Sequence, residues 1–442
     1  MRKTASFILA KVTKSLFSDS LKNDFRINST DFSRKRVQSF SGTIIFMINL
    51  LRKSLVIEIE NFVKNYNDSC PDSNMKSFTE SAFVQYRKKI NPKVFRHLSN
   101  VLINEFYTDN DLAIKRWKGF RLLAVDGSSL TLPNTEELAS HYGVTKNQTK
   151  NGQVQGRISV LYDVLNNYVL DAKLSPLKIG EGKLAIKHLK KCNPKDLIIY
   201  DRGYTGFPLI HKLDKSNVDF VIRAKVGFSN QIKAFVNTGL NSEIIEIKAD
   251  RKKSFIGLPY TRQSKIKVRL VKVDLGKGKF EILITSLLDE STYSYKIFKD
   301  LYFQRWGVET YYDELKNKLK VENFSGYSKQ VIEQDFEASI FISNVQSLIV
   351  GELNDEYEEK PNEKIKKYEY KINTAVSYGL LRNRIISLFL NPKESENVVD
   401  ELKKIFKKHL IPIRPNRKLE RNTEKYRREP KPKVTKNQRD TF

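Results

Sequence analysis

The chain has 442 residues, of which 40% are hydrophobic and 29% are charged, and this composition excludes a fully disordered protein. Its 79 Lys and Arg residues against 51 Asp and Glu residues give a net charge of +28, which favours a polyanionic partner, either nucleic acid or an anionic membrane surface. Two cysteines and five scattered histidines exclude a disulfide scaffold and argue against a metal site rich in His or Cys.

A membrane partner is disfavoured by the apolar runs of the chain. The longest, residues 43–51, is too short for a span of about 20 residues and is followed by Arg52 and Lys53, so it predicts a core helix. Near the N-terminus, Lys11 and Lys14 interrupt the apolar stretch that a signal peptide needs. We therefore expect a cytoplasmic, nucleoid-associated protein whose partner is nucleic acid and which has no membrane contact.

Residues 1–110 are predicted to be helical. A capping-box pattern at 77–80 opens a helix over 81–90, Asn91 and Pro92 break it, and another helix follows. Five basic residues, expected to be exposed, lie along this helix, break and helix: Arg87, Lys88, Lys89, Lys93 and Arg96. The arrangement is typical of a DNA-reading unit, but a charged surface on a helical bundle explains it equally well.

The pattern changes to strands after residue 119. The predicted elements are strand 120–126, strand 153–163, strand 168–174, helix 180–191 and strand 197–201. Asn166 and Asn167 tolerate positive φ and join the second and third strands as a hairpin. The first and the last strand each end on an aspartate, Asp126 and Asp201.

The second half of the chain predicts an insertion followed by helices. Residues 219–290 read as an inserted antiparallel sheet, 291–320 and 330–350 as long helices, 352–371 as a charged helix with a loop, and 411–442 as a disordered basic tail. The domains predicted from these changes are 1–110 (helical, DNA-binding), 111–218 (first catalytic part), 219–290 (inserted β subdomain), 291–375 (second catalytic part) and 376–442 (C-terminal helices and tail).

One face of the predicted helix 291–320 is unusual. At about 100° per residue, Tyr302, Arg305, Glu309 and Lys316 fall in one arc of about 60°, beside the apolar stripe. An ordinary Arg–Glu pair on a solvated helix, contributing ~0.2–0.5 kcal/mol, explains this face if the helix is considered alone.

The joint occurrence of three carboxylates changes that interpretation. Asp126, Asp201 and Glu309 converging on one sheet edge can hold two divalent ions about 3.5–4 Å apart, and hard oxygen ligands select Mg²⁺ or Mn²⁺. Such a pair activates a water or hydroxyl and stabilises the leaving oxygen of a phosphodiester. A strand-end Asp alone is usually a turn residue, but the ordered Asp, Asp, Glu set is much more specific.

Across residues 77–350 the sequence resembles the DDE transposases of bacterial insertion sequences, specifically the insertion-sequence-four family. Its Y-x2-R-x3-E-x6-K signature is met without departure. The matched positions are Tyr302, Arg305, Glu309 and Lys316 for the signature, Val125, Asp126, Gly127 and Ser128 for the first aspartate motif, and Asp201, Arg202, Gly203 and Tyr204 for the second. Residues 81–90, 323–326 and 334–344 also look like the family.

The resemblance implies an α/β fold, namely a ribonuclease-H-like mixed sheet with helices, an inserted β-rich subdomain and a helical N-terminal DNA-binding region. It implies that Asp126, Asp201 and Glu309 are the catalytic, metal-binding triad. It also implies DNA contacts from Tyr302, Arg305, Lys316 and Arg202. Trp306 is expected either to stack on a flipped base or to pack inside the protein.

The function implied is that of a cut-and-paste transposase, an endonuclease and polynucleotidyl transferase. It binds terminal inverted repeats of double-stranded DNA, cleaves them with Mg²⁺ or Mn²⁺, expected as two ions, and joins the ends to target DNA as a homodimer. One alternative is a ribonuclease-H-like, metal-dependent DNA nuclease without strand transfer. Another is a non-catalytic DNA-binding protein derived from a transposase, against which the intact triad argues.

Overall fold

The computed structural model describes residues 2–34, 36–49, 51, 53–70, 74–145, 152–249, 257–359, 369–390 and 395–413. The chain divides into two compact units. Unit 1 comprises Met1–Ala113, Thr131–Ser140 and Asp313–Phe442, and unit 2 comprises Ile114–Leu130 and His141–Tyr312. The finer five-part division proposed from the sequence stays a prediction.

The α-helices of the described residues alternate with shorter helical turns. In chain order they are α1 (Ala5–Leu16), α2 (Asp19–Phe25), α3 (Phe40–Ile48), α4 (Leu55–Ser69), α5 (Glu80–Arg87), α6 (Lys93–Tyr107), α7 (Glu136–Tyr142), α8 (Glu181–His188), α9 (Phe207–Lys215), α10 (Asn230–Thr238), α11 (Phe298–Phe303), α12 (Trp306–Asp313), α13 (Lys329–Glu359), α14 (Thr374–Arg382), α15 (Ile385–Leu390) and α16 (Ser395–Lys408). In none of these is an apolar stretch long enough to cross a membrane.

The strands of the described residues fall into a large sheet and a small one. They are β1 (Arg121–Thr131), β2 (Val144–Thr145), β3 (Gln153–Asp163), β4 (Tyr168–Pro176), β5 (Asp196–Tyr200), β6 (Asp219–Ala224), β7 (Ser242–Lys248), β8 (Lys265–Gly276), β9 (Lys279–Thr285), β10 (Glu369–Ile372) and β11 (Leu410–Ile413). The large sheet has the order β2-β3-β1-β5-β6-β9-β8-β7, with β4 also paired to β3.

The large sheet is mixed. β1, β5 and β6 are parallel neighbours, whereas β3 and β4 form an antiparallel hairpin. Residues 122–125 of β1, 197–200 of β5 and 220–222 of β6 are apolar and buried, as expected for a parallel sheet that is covered on both faces. Together these strands confirm the predicted α/β fold with a mixed sheet and helices.

The predicted insertion extends this sheet. β9 pairs antiparallel with β6, and β8 and β7 follow outward. Gly276, Lys277 and Gly278 all have positive φ and make the turn between β8 and β9. β6, which the sequence grouped with the antiparallel insertion, runs parallel to β5.

The single long helix predicted over 291–320 is wrong. α11 ends at Phe303, and α12 begins only at Trp306. Between them, the amides of Gln304 and Arg305 bond to carbonyls three residues back, which tightens the chain and breaks the helical register. A π-helical turn, Glu314–Lys318, follows α12. The wheel that placed Tyr302 and Lys316 in one arc therefore does not hold.

In unit 1 the helical N-terminal region is confirmed, but the predicted exposure of Arg87 is wrong. Arg87 is 1% exposed and its guanidinium donates to Gln334, Ser325 and Asp335. A buried guanidinium is tolerated only with such partners. Arg87 therefore ties α5 to α13, instead of facing a ligand.

Two further expectations in unit 1 need correction. The cap of α5 is Thr79, whose side chain accepts from the amide of Ala82, and not Ser77, which donates to Glu60. Residues 411–413, predicted as the start of a disordered tail, form strand β11 paired with β10. The rest of that predicted tail, 414–442, lies outside the described residues.

A buried chain of polar groups holds α8 on the sheet in unit 2. His188 Nε2 lies 3.0 Å from Ser159 Oγ, and His188 Nδ1 lies 2.8 Å from Asp171 Oδ2. Burial acts to raise the pKa of Asp171, but its bonds with His188 and Lys173 prevail and lower it. Ser159 and His188 are 0% exposed, so this serine has no access for a substrate and the chain of bonds is structural.

Candidate active site

The parallel pairing of β1 and β5 brings the two aspartates together. The register sets Val125 opposite Tyr200, and the residues that follow are Asp126 and Asp201. β1 continues to Thr131, so Asp126 lies at the end of the paired segment and not at the end of the strand as predicted. Side chains at the same end of two neighbouring parallel strands share one edge of the sheet.

Asp126 lies in a partly buried, negatively charged environment. Its Oδ1 accepts from the amide of Gly127 at 2.9 Å. Burial, followed by the charges of Glu309 and Asp201, raises the pKa of Asp126 to about 6, while the Gly127 amide and Arg305 act to lower it. The three predicted carboxylates are thus close enough to influence one another.

Asp201 is held by a phenol. The hydroxyl of Tyr302 donates to Asp201 Oδ1 at 3.2 Å, and the guanidinium of Arg223 lies 3.8 Å from the same oxygen. Burial raises the pKa of Tyr302, which therefore stays protonated and able to donate. Tyr302, predicted to contact a phosphate, has its hydroxyl on the Asp201 carboxylate in this structure.

Glu309 lies in α12 and is paired with Arg305. The guanidinium lies 2.6 Å from the carboxylate, and Arg305 is 6% exposed. Its Nε is buried and has no hydrogen-bond partner within the described part of the chain. The ordinary Arg–Glu pair considered for this segment is therefore present, but its guanidinium is buried and only its carboxylate is partly exposed.

Tyr312 attaches α12 to β1, and the sequence analysis did not identify it. Its hydroxyl donates to the backbone carbonyl of Asp126 at 2.6 Å. The neighbouring Tyr311 stacks on Tyr162 of β3, with ring centroids 5.0 Å apart. The sequence feature that could have identified Tyr312 is its spacing: it follows Glu309 by three residues and therefore lies near it on a helix. These contacts fix Glu309 relative to the aspartates.

The other predicted DNA contacts have different surroundings. Trp306 is 46% exposed, so the alternative of buried packing is wrong. It lines a cavity of about 240 Å³ with Arg223, Lys299, Arg305 and Phe303 among the other residues of its wall. Arg202 is exposed in the turn after Asp201. Lys316 lies in the π-helical turn of unit 1.

The donor set fits a hard divalent cation. It consists only of carboxylates, and a cation would relieve the repulsion that helps raise the pKa of Asp126. Within the residues that the structure describes, no three His, Cys, Asp or Glu side chains form an ion site as they stand. Glu309 is turned to Arg305, which supplies the positive charge there.

Comparisons with known proteins identify the family of the chain. Residues 117–345 match the model of the transposase DDE domain. The match covers more than half of the chain, and the chain therefore belongs to the transposase DDE domain family, a class that generally uses divalent metal ions. This confirms the resemblance on which the sequence analysis rested.

Two individual proteins are similar to the chain. The transposase InsG for insertion sequence element IS4 of Escherichia coli (strain K12) is 22% identical over 293 residues, which are 64% of this chain and 64% of that protein. The chain thus matches just under two thirds of that relative's length. A cryo-EM structure of the piggyBac transposase synaptic complex with hairpin DNA is 13% identical, with a TM-score of 0.42, and the match covers 90% of this chain and 80% of that one.

Proposed function

We propose that the chain is a transposase that moves an insertion sequence by a cut-and-paste route. It binds the terminal inverted repeats, cleaves the phosphodiester at each end and joins the freed ends to target DNA. The observation that carries this proposal is the shared position of Asp126, Asp201 and Glu309 beside the end of the β1–β5 ladder in unit 2. The family membership agrees with it.

The proposed cofactor is Mg²⁺ or Mn²⁺, as two ions held by Asp126, Asp201 and Glu309. When bound, such ions activate the attacking oxygen and stabilise the leaving one. The protein's own groups orient these ligands: Tyr302 donates to Asp201, and the Tyr312 bond to β1 holds the helix that carries Glu309. Arg305 pairs with Glu309 when no ion is bound. A competing anion would replace Glu309 beside Arg305, and a competing cation would replace Arg305 beside Glu309.

The proposed DNA contacts extend from this site. Arg202 is exposed beside Asp201, and the resemblance adds Tyr302, Arg305 and Lys316 as groups for the phosphates of the transposon end. The exposed Trp306 borders a cavity with cationic side chains, an arrangement suited to stacking a base that has left the duplex. Because two DNA ends must be joined, we propose a homodimer on DNA, acting at the bacterial nucleoid.

The test is cleavage of DNA that carries the inverted repeats flanking the gene. Asp126→Asn, Asp201→Asn and Glu309→Gln should each abolish cleavage in Mg²⁺ or Mn²⁺ and leave binding to the repeats largely intact, because affinity comes mainly from phosphate contacts. Asp214→Asn is the matched control, since Asp214 is an exposed carboxylate of α9 in the same unit, and it should cleave normally.

Each outcome separates the proposal from its alternatives. Cleavage without joining to target DNA would indicate a nuclease. Specific binding by the wild type without cleavage, in either metal, would indicate a DNA-binding derivative. Normal cleavage by any one of the three triad variants would remove that residue from the active site.

A further inference from the structure

A fourth acidic side chain lies against both aspartate motifs. Glu181 is the first residue of α8. A Cβ atom placed on Gly127, next to Asp126, would lie 3.0 Å from Cγ, Cδ and Oε1 of Glu181. A Cβ placed on Gly203, two residues after Asp201, would lie 3.8 Å from its Oε2. The Glu181 carboxylate is thus adjacent to the backbone of both motifs.

The same position is marked by a buried phenol. Tyr204 is 4% exposed, and its hydroxyl has no hydrogen-bond partner among the described residues. Burial chiefly raises the pKa of Tyr204, and the negative charges of Asp126, Glu181 and Asp201 add to it. The unpartnered Tyr204 hydroxyl therefore lies close enough to all three carboxylates for their charges to act on it. A buried polar group of this kind points to a ligand that completes the site.

The ion pair between Glu181 and Arg157 does not account for the position of the Glu181 carboxylate. Arg157 on β3 lies 3.3 Å from Glu181 Oε1, and the two side chains are 28% and 38% exposed. A pair this exposed contributes little to stability. This ion pair alone gives no reason for the Glu181 carboxylate to lie against Gly127 and Gly203. A residue larger than glycine at position 127 would fill the space next to that carboxylate.

We propose that Glu181 is a fourth carboxylate of the divalent-ion site, beside the motifs that carry Asp126 and Asp201. This inference rests on the proposed function and deepens it. The glycine that follows Asp126 then has a specific role, because it lets the Glu181 carboxylate approach the aspartates. Glu181 acts as an ion ligand, directly or through a bound water.

Ion affinity, and not activity, is the readout. Mn²⁺ is titrated calorimetrically into the full-length, DNA-free chain. Glu181→Gln removes the charge and keeps the shape, so Mn²⁺ affinity should fall about 10- to 100-fold. Glu136→Gln is the matched control, because Glu136 is likewise the first residue of a helix and is exposed, and its affinity should equal that of the wild type.

Three more variants separate a direct role from a structural one. Arg157→Gln frees Glu181 from its ion pair and should leave Mn²⁺ affinity unchanged or higher. Gly127→Ala should lower the affinity through its 3.0 Å approach to Glu181, whereas Gly203→Ala, at 3.8 Å, should not. In the Glu181→Gln background the Gly127→Ala effect should shrink, because both changes act on one interaction.

The refuting results are distinct from those for the proposed function. If Asp126→Asn weakens Mn²⁺ binding and Glu181→Gln does not, Glu181 lies outside the ion site and only this inference is wrong. An equal loss in Arg157→Gln and Glu181→Gln would assign the effect to the ion pair and would also overturn it. If Asp126→Asn binds Mn²⁺ like the wild type, the proposed ion site itself is wrong.

Discussion

Replacing Asp126 by Asn should stabilise the metal-free protein at neutral pH while it abolishes cleavage. The pKa of Asp126 is raised from 3.8 to about 6 in the folded chain, first because of burial. The folded state therefore binds the proton more tightly than the unfolded state. Its stability contribution is full below pH 4 and is lost as the pH rises through 6. About two pKa units at 1.36 kcal/mol each correspond to a loss of at most about 3 kcal/mol.

The two tryptophans provide the assay. Trp117 and Trp306 both belong to unit 2, so tryptophan fluorescence follows the unfolding of the unit that holds the site. Urea unfolding in a chelator is measured from pH 4.5 to 7.5 for the wild type, Asp126→Asn and the surface control Asp214→Asn. Asn keeps the shape and can still accept from Gly127.

The expected result is a difference in free energy of unfolding, Asp126→Asn minus wild type, that grows as the pH rises. Titrations common to both proteins cancel in this difference. A difference that does not change with pH would show that Asp126 has an ordinary pKa, and a variant that becomes progressively less stable than the wild type above pH 6 would refute the sign of the reasoning. In either case the electrostatic description of the site would be wrong.

Three other predictions concern binding, packing and the C-terminus. Arg202→Ala should reduce by roughly one the slope of log affinity for DNA against log salt, whereas Lys277→Ala at the β8–β9 turn should not; equal slopes would remove Arg202 from the phosphate contacts. His188→Ala should cost about 3 kcal/mol in urea unfolding, because it leaves Asp171 buried with one partner fewer, and a loss below 1 kcal/mol would contradict this. Deleting residues 414–442, which carry a net charge of +7, should weaken binding to repeat DNA and random DNA by similar factors in anisotropy titrations; loss of repeat preference alone would assign recognition to this segment.

Local patterns predicted the parts of the fold that depend on nearby residues. Strand periodicity, the Asn166–Asn167 turn and the strand-end position of Asp201 are visible within short windows, so β3, β4 and β5 were predicted close to their actual bounds. The break between α11 and α12 was missed because neither of the two residues in it, Gln304 and Arg305, is a Gly or a Pro. Arg305 is buried in the folded chain, and the sequence pattern did not indicate this.

The residues that sequence reasoning misjudged depend on distant partners. Arg87 appeared to be a surface charge, and its acceptors in α13 lie 247 and 248 positions later. Glu181 was not predicted as a site residue. What distinguishes it is its closeness to the backbone of Gly127 and Gly203, and a sequence motif does not show this contact. Tyr312 was passed over for a similar reason, since its acceptor is a main-chain carbonyl.

The strands β7, β8 and β9 also decide how the large sheet ends. Without them, the apolar strand β6 would expose a row of unpaired amides and carbonyls, an edge on which other chains can add and aggregate. With them, the last strand is β7, whose sequence carries Glu243, Glu246 and Lys248. Charged edge strands resist this kind of association. A shortened version of the protein that lacks these three strands still contains Asp126, Asp201 and Glu309, but it should be less soluble than the full chain.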